Sequence, residues 1–339
     1  TMPLLEVTGL NLFLRGSQGT AQALRHLSFK LERGSALGII GESGSGQSLT
    51  VQTLMGLQPE NASVTGSVLW DGQELLGQTE RQWQAMRGNR MAMVFQEPMT
   101  ALNPVHTVGQ QVAEPMRIHK GWDRKTALKA ATGLLERVGI ANASTRLHDY
   151  PHQFSGGQRQ RITIAMALAC EPDLLIADEP TTALDVTVQQ QILDLINDVA
   201  AERDMALILI SHDLGVISQN VDDILVMYGG QIVESGPTAG LFRHMAHPYT
   251  RGLMAARPRL DAPRQPSGRP HDLFTIPGTV PALADLPRGC TFAGRCSFTQ
   301  ARCYEDQPQR IGIPSFQPQE AAYSSLGVHQ VRCLRPEAM

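Results

Sequence analysis

Long apolar runs are missing from this sequence, and their absence limits what the chain can do at a membrane. Of its 339 residues, 42% are hydrophobic and 18% are charged, which suits a globular chain with a sizeable core. Its apolar stretches, such as 206–210, are far shorter than the roughly 18–20 residues that cross a bilayer. We therefore predict that any membrane role depends on partner proteins.

An excess of basic residues is also lacking. The chain has 29 Lys and Arg against 32 Asp and Glu, for a formal net charge of −3. Because nucleic-acid-binding proteins present a basic surface, we expect no nucleic-acid partner. Residues 1–7 have neither the basic start nor the apolar core of a secretion signal, so we expect the chain to stay in the cytoplasm.

Cysteine is scarce until the C-terminal region. Cys170 is the only cysteine in the first 289 residues, and the other four follow as Cys290-x5-Cys296-x6-Cys303-x29-Cys333. A reducing cytoplasm disfavours disulfides. The clustering therefore predicts a metal site.

The order of the remaining patterns predicts an α/β fold. From residue 4 to about 245, apolar β-like runs alternate with helical patterns, as in a mostly parallel sheet flanked by helices. One helix is predicted over 126–138 from the spacing of its apolar residues. The Pro- and Arg-rich segment 257–270 is typical of a connector, so we divide the chain into domains at 1–245 and 246–339.

A phosphate-binding loop is predicted where an apolar strand, 36–40, is followed by a Gly- and Ser-rich turn and a helix over 49–57. In such a loop, backbone N–H groups converge on phosphate oxygens, and a hydroxyl such as that of Ser48 binds Mg²⁺. The candidate nucleotide-binding residues are Gly41, Ser43, Gly44, Ser45, Gly46, Gln47, Ser48 and Leu49.

Gln47 stands where the motif has Lys. A neutral amide offers hydrogen bonds but no charge to the β- and γ-phosphates. We expect binding to survive and phosphoryl transfer to lose roughly 3 kcal/mol of stabilisation, on the order of 100-fold in rate. We interpret Gln47 as a substitution that traps a nucleotide-bound state, and a native glutamine is the alternative.

Two adjacent carboxylates, Asp178 and Glu179, end the apolar strand that begins at Leu174. After a phosphate-binding loop, this arrangement places one acid on Mg²⁺ and the next beside the attacking water. We assign the first role to Asp178 and the second to Glu179.

The stretch Phe154-Ser155-Gly156-Gly157-Gln158 resembles the Leu-Ser-Gly-Gly-Gln signature of ABC ATPases, with Phe in place of Leu. The resemblance implies a P-loop NTPase fold with a RecA-like core, an antiparallel β subdomain and a helical subdomain at about 97–170. It implies ATP as the nucleotide. In the family the signature faces the nucleotide of a partner subunit, so a dimer is implied.

Three further family elements match single residues. Gln96 resembles the glutamine that senses Mg²⁺ and the attacking water, Asp185 the aspartate that communicates across the dimer, and His212 the histidine that contacts the γ-phosphate. The family's adenine-stacking aromatic aligns with Phe13 or, equally well, with Leu14.

The C-terminal cysteines resemble the extension of dipeptide and oligopeptide importer ATPases, the dipeptide-importer D-type subunit most of all. Their spacing differs from paired zinc modules, so we favour a structural [4Fe–4S] cluster on Cys290, Cys296, Cys303 and Cys333, with Zn²⁺ as the alternative. An Arg precedes three of these cysteines, and we expect these cations to favour thiolates and balance the charge of a cluster. The three are Arg295, Arg302 and Arg332.

The resemblance also implies partners and a location. The partners are a second homologous ATPase, two transmembrane permeases that contact residues after Gln96 to about Gln111, and, indirectly, an extracytoplasmic peptide-binding protein. The location is the cytoplasmic face of the inner membrane, where the chain is peripheral and powers peptide import.

Three other functions are compatible with parts of the sequence. Related importers carry nickel chelates, other metallophores or antimicrobial peptides. A soluble ABC ATPase acting on DNA or ribosomes would carry a coiled coil, a second ATPase domain or a basic surface, which the sequence does not show. Gln47 favours a nucleotide-binding regulatory subunit, whereas Gln96, Glu179 and His212 favour hydrolysis.

Overall fold

The computed structural model describes residues 2–17, 19–96, 101–181, 186–256, 275–313 and 324–334. Among them, an N-terminal sheet has four strands in the order β2-β1-β4-β5, with every neighbouring pair antiparallel. Its strands are β1 Leu5–Gly16, β2 Gly19–Leu31, β4 Ala62–Trp70 and β5 Gln73–Glu74. Leu10, Leu12 and Leu24 are fully buried, so the sheet packs its apolar side chains inward.

The main sheet has eight strands among the described residues, in the order β11-β12-β10-β9-β3-β8-β7-β6. The five strands from β9 to β6 are parallel, and β10, β12 and β11 continue the sheet in antiparallel pairs. The strands are β3 Ala36–Ile40, β6 Met91–Val94, β7 Leu174–Asp178, β8 Ala206–Ile210, β9 Asp223–Tyr228, β10 Gln231–Pro237, β11 Arg310–Gly312 and β12 Gln330–Arg332. The predicted parallel core is confirmed, since such strands are buried on both faces and read as continuous apolar runs.

Helices flank this sheet. They are α1 Gln47–Leu54, α2 Glu80–Met86, α3 Val108–Lys120, α4 Arg124–Arg137, α5 Ala143–Arg146, α6 Gly156–Leu168, α7 Val186–Arg203, α8 Leu214–Asn220, α9 Thr238–Arg243, α10 Pro248–Ala255 and α11 Ala301–Glu305. Helices α3, α4 and α6 pack together as a group within the region predicted to be a helical subdomain. No helix in the described part of the chain is long and apolar enough to span a bilayer.

Two predicted helix boundaries were wrong. The helix predicted over 126–138 begins at Arg124, because the Asp123 side chain caps it by accepting a 2.7 Å hydrogen bond from the backbone N–H of Thr126. The helix predicted over 49–57 begins at Gln47 and ends at Leu54, since Gly56 takes a left-handed conformation that stops it.

The C-terminal residues join the main sheet. Strand β12 pairs with β10 through Glu234 and Val331, and β11 pairs with β12. The division into domains at 245/246 stays a prediction, and the connector predicted over 257–270 lies outside the described residues.

Candidate nucleotide site

The phosphate-binding loop connects β3 to α1. Gly44 and Gly46 have φ of 85° and 98°, a region that glycine enters without steric cost. At Gly41 an added Cβ would lie 2.4 Å from the carbonyl oxygen of Met227. The loop conformation therefore depends on glycine at these positions, in the strand, loop, helix order that the motif requires.

Gln47 lies at the start of α1, where its side-chain amide donates a 3.3 Å hydrogen bond to the carbonyl oxygen of Gly41. The side chain thus bridges the two ends of the loop. It brings donors and no charge to the place where the motif has an ammonium group.

Asp178 and Ser48 meet beneath this loop. Asp178 ends β7 and is 6% exposed, and it forms a hydrogen bond with the Ser48 side chain. Burial raises the pKa of Asp178, and this effect outweighs the hydrogen bond with Ser48, which lowers the pKa. Its Oδ1 is buried without a hydrogen-bond partner among the described residues, and an orphaned carboxylate oxygen beside a hydroxyl fits a hard divalent cation such as Mg²⁺.

Glu179 follows at the mouth of the cleft, between two other predicted residues. Gln96 Nε2 donates a 2.9 Å hydrogen bond to Glu179 Oε2, and His212 Nδ1 lies 3.3 Å from Glu179 Oε1. The backbone φ of Glu179 is +47°, a strained region for a non-glycine residue. The Glu179 N–H is held by a 3.0 Å bond to the carbonyl oxygen of Ile210, so neighbouring strands fix this carboxylate.

One cleft of about 740 Å³ is lined by the phosphate-binding loop together with Ser48, Gln96, Glu179 and His212, and Asp178 is not among its described lining residues. Of the two residues that align with the adenine-stacking position, Leu14 lines the cleft and Phe13 is not among its described lining residues. Seven other lining residues were not among the predicted site residues: Ala23, Glu42, Ile210, Val280, Pro281, Ala282 and Leu283.

The signature residues lie elsewhere. Ser155 caps α6 by accepting a 3.3 Å hydrogen bond from the Gln158 N–H, and the Gln158 side chain bonds back to the Ser155 N–H. None of 155–158 is among the described residues that line the cleft. Phe154 is buried beneath the guanidinium of Arg146, which explains why an aromatic ring is accepted there. Asp185 lies outside the described residues.

The four C-terminal cysteines line a single small pocket with His247, Pro248, Phe292, Ala293, Phe298, Thr299 and Leu334. Burial raises the pKa of Cys290 to about 11. Within the described ranges, no group of three or more His, Cys, Asp or Glu side chains is arranged to hold a metal ion. The metal predicted for these cysteines therefore stays a prediction.

The three arginines that precede these cysteines donate hydrogen bonds to oxygen atoms: Arg295 to Glu42, Arg302 to the carbonyl oxygen of Leu334, and Arg332 to those of Ile232 and Pro308. The expected effect of their charges on the thiolates stays a prediction.

Comparison with known proteins identifies the family. The family model described as ABC transporter matches residues 24–182, and the one described as oligopeptide/dipeptide transporter, C-terminal region, matches 233–303. The oligopeptide transport ATP-binding protein OppD of Haemophilus influenzae is 46% identical over 301 residues, which cover 89% of this chain and 91% of the relative. The chain belongs to the ATP-binding subunits of oligopeptide/dipeptide ABC transporters.

Solved structures agree on the fold of this ABC ATPase. A dimeric ATP-binding cassette bound to ADP and Pi matches with a TM-score of 0.63 and 24% identity, over 69% of this chain and 98% of that one. The cbiO1 protein of Clostridium perfringens, part of an ABC transporter complex, matches with a TM-score of 0.61 and 26% identity, over 72% and 92%. None of these descriptions refers to a regulatory subunit. The alternative that Gln47 marks a nucleotide-binding regulatory subunit therefore gains no support.

Proposed function

We propose that this ABC ATPase hydrolyses MgATP to power the import of dipeptides or oligopeptides. The observation that carries the proposal is the position of Glu179, held between Gln96 and His212 at the mouth of the phosphate-loop cleft. The oligopeptide description of the matched C-terminal family and of the relative supports a peptide substrate. Nickel chelates, metallophores and antimicrobial peptides stay alternatives that share this ATPase geometry.

The roles of the residues follow from their chemistry. The N–H groups of the glycine-rich loop and of the first turn of α1 hold the phosphates. Ser48, Asp178 and Gln96 would hold Mg²⁺, which neutralises phosphate charge when bound. Glu179 is placed to orient the attacking water and accept its proton, and His212 to contact the γ-phosphate. Gln47 leaves this site one positive charge short.

The exposed signature supports a site completed by a partner. Ser155, Gly156, Gly157 and Gln158 form a helix N-terminus outside the chain's own cleft, free to meet a nucleotide held by another subunit. We propose a heterodimer with a second homologous ATPase, bound to two permeases at the cytoplasmic face of the inner membrane. Asp185 and part of 97–111 would lie at these contacts, and a peptide-binding protein outside would deliver the substrate.

Isothermal titration calorimetry with MgATP tests the nucleotide site. The chain is expected to bind MgATP and to bind ATP more weakly when Mg²⁺ is chelated. The Asp178→Asn variant is expected to lose the Mg²⁺ dependence and keep the weaker binding. Asp173→Asn removes a carboxylate that pairs with Arg33 and Arg90 at the other end of β7 and serves as the matched control. Equal effects of both variants would contradict the assigned role of Asp178.

We also propose that the four thiols hold a [4Fe–4S] cluster. The observation that supports this proposal is that all four cysteines line the same pocket, and Fe–S clusters are held by Cys thiolates. The aromatic side chains of Phe292 and Phe298 line the same pocket. The cluster would be structural.

A further inference from the structure

Elements on both sides of strand β3 contribute to the nucleotide cleft. Strand β3, which leads into the phosphate loop, has β8 on one side and β9 on the other. Glu179, His212 and Gln96 follow β7, β8 and β6, all on the β8 side. On the β9 side, the Ser45 carbonyl accepts a 3.0 Å hydrogen bond from the N–H of Gly230, which packs directly against Ala23. The cleft therefore has a catalytic end and an opposite end near β2.

The lining of the opposite end is aliphatic. Leu14 and Ala23 come from β1 and β2, and a segment of the C-terminal region, residues 280–283, supplies the remaining apolar surface. No Phe, Tyr or Trp is among the described residues that line the cleft. A nucleoside triphosphate is polar at the phosphates and has flat apolar faces on the base, so this end matches the base and sugar in character.

The 280–283 segment is attached to the phosphate loop by Arg295. The guanidinium donates to Glu42 through two hydrogen bonds, of 2.7 Å to Oε2 and 3.0 Å to Oε1. The same group donates from Nε to the carbonyl oxygen of Pro277 at 2.7 Å and from an Nη to that of Gly278 at 3.1 Å. The Arg295 side chain is 7% exposed, and a bidentate pair of this kind fixes geometry as well as charge.

Aromatic packing supports this anchor. The Arg295 guanidinium lies 5.6 Å from the ring of Tyr228, which packs edge-on against Tyr249 at 4.8 Å and against Phe292 at 5.1 Å. The Tyr249 hydroxyl accepts a 2.7 Å hydrogen bond from the Glu42 N–H. Glu42 is thus held to the C-terminal region through both backbone and side chain.

We propose that residues 280–283 form one wall of the nucleoside end of the cleft, facing Leu14 and Ala23, with Arg295 as the positioning residue that ties this wall to Glu42. The base is held between aliphatic surfaces instead of stacking on an aromatic ring. This inference rests on the proposed ATP site and extends it, because it assigns nucleotide contact to the C-terminal region.

A tryptophan reporter tests the wall directly. Ala282 is exposed and lines the cleft, whereas Ala284, two residues on, is exposed and does not. MgATP is expected to change the emission of the Ala282→Trp variant by tens of per cent, while inorganic tripolyphosphate with Mg²⁺ changes it little. The Ala284→Trp variant is the control and is expected to respond to neither.

Truncation of the wall gives an independent readout. Val280→Ala is expected to raise the Kd of MgATP about fivefold through lost apolar contact and to leave the Kd of tripolyphosphate unchanged. Leu14→Ala, on the facing wall, should have the same effect, and Val328→Ala, an exposed C-terminal valine, should have none.

The outcomes separate the two proposals. Two results would overturn the proposed wall and leave the ATP site standing. In the first, MgATP binds by calorimetry but the emission of the Ala282→Trp variant does not respond. In the second, Val280→Ala loses affinity for ATP and for tripolyphosphate equally. No binding of MgATP to the unaltered chain overturns both. Arg295→Lys keeps the positive charge but loses the bidentate hydrogen bonds to Glu42. A loss of affinity for ATP, but not for tripolyphosphate, in that variant supports the positioning role of Arg295.

Discussion

The side-chain amide of Gln96 donates a 2.9 Å hydrogen bond to Oε2 of Glu179 across 83 positions of sequence. The two residues meet because β6 and β7 are adjacent parallel strands, paired from Met91 with Leu174 to Val94 with Ala177, and their carboxyl ends open on the same edge. Ligand sites of open α/β sheets lie at this edge. The pair shows how the fold turns separate motifs into one site.

Restoring the missing cation is expected to raise ATP turnover. Gln47 contacts only the Gly41 carbonyl among the hydrogen bonds found, and Lys at this position would place a positive charge on the β- and γ-phosphates. In the assembled transporter, Gln47→Lys is expected to raise phosphate release about 100-fold. Gln47→Met, of similar length and no charge, should leave turnover low. Equal turnover in the unaltered chain, Gln47→Lys and Gln47→Met would rule out the idea that a missing positive charge at this loop limits hydrolysis.

Removing the carboxylate at the cleft mouth should stop hydrolysis and spare binding. In the Gln47→Lys background, Glu179→Gln keeps a similar shape but cannot accept a proton from water, so turnover should fall by about 10²–10⁴-fold. The Kd of MgATP should change less than about threefold. Glu60→Gln, which alters an exposed glutamate outside the cleft, is the control. A parallel loss of binding and turnover would show that Glu179 acts on nucleotide affinity instead.

Glu234 is expected to make the chain sensitive to acid. It is 1% exposed and accepts hydrogen bonds from the backbone N–H groups of Ala246 and His247 and from Nε2 of His329. Burial alone would raise the pKa of Glu234, but these hydrogen bonds, that of His329 foremost, outweigh it and leave the pKa below its ordinary value. The folded state then gains stability that is fully present above the pKa of about 4.3 of an unfolded glutamate and is lost as the pH falls through the folded value.

Urea unfolding between pH 7 and pH 3 measures this effect. Glu234→Gln is expected to lower the free energy of unfolding at pH 7 by roughly 3 kcal/mol, since it leaves buried donors poorly matched, and to flatten the decline below pH 4.5. Glu60→Gln should preserve the unaltered profile. A variant as stable as the parent at pH 7 would contradict the assigned role of Glu234.

Anaerobic purification followed by iron and acid-labile sulfide analysis tests the four-cysteine site. We expect about four irons and four sulfides per chain, with most of the iron lost in Cys303→Ser. Cys170→Ser, which changes a buried cysteine that does not line this pocket, should keep the full content. Zinc, or no metal, in the unaltered chain would exclude the cluster.

The residues of the motif-bearing side of the site could be chosen from the sequence. Glycine, adjacent carboxylates and a signature helix cap carry chemistry that depends on residue type and short spacing, so Ser48, Asp178 and Glu179 could be assigned roles before their positions were known. That these residues lie close together also follows from a general rule, since ligand sites of open α/β sheets form at the carboxyl ends of the strands. Helix ends were less predictable, because a single cap such as Asp123 shifts the start of a helix by two residues.

The other end of the cleft could not be predicted. Val280, Pro281 and Leu283 are unremarkable aliphatic residues, and their contact with the cleft depends on Arg295 reaching Glu42 over 253 positions. The hydrogen-bond partners of Arg302 and Arg332 are likewise carbonyl oxygens of residues distant in sequence. Local spacing cannot show which distant carboxylate or carbonyl a long side chain will find.

Transport in reconstituted vesicles tests the central claim most directly. The Gln47→Lys chain, assembled with its homologous ATPase, two permeases and an external peptide-binding protein, should accumulate a labelled oligopeptide only when MgATP is supplied on the cytoplasmic side. Glu179→Gln in this chain should reduce that uptake strongly. Uptake that continues unchanged without MgATP, or ATP turnover that no oligopeptide stimulates, would contradict the account of the chain as the ATPase of a peptide importer.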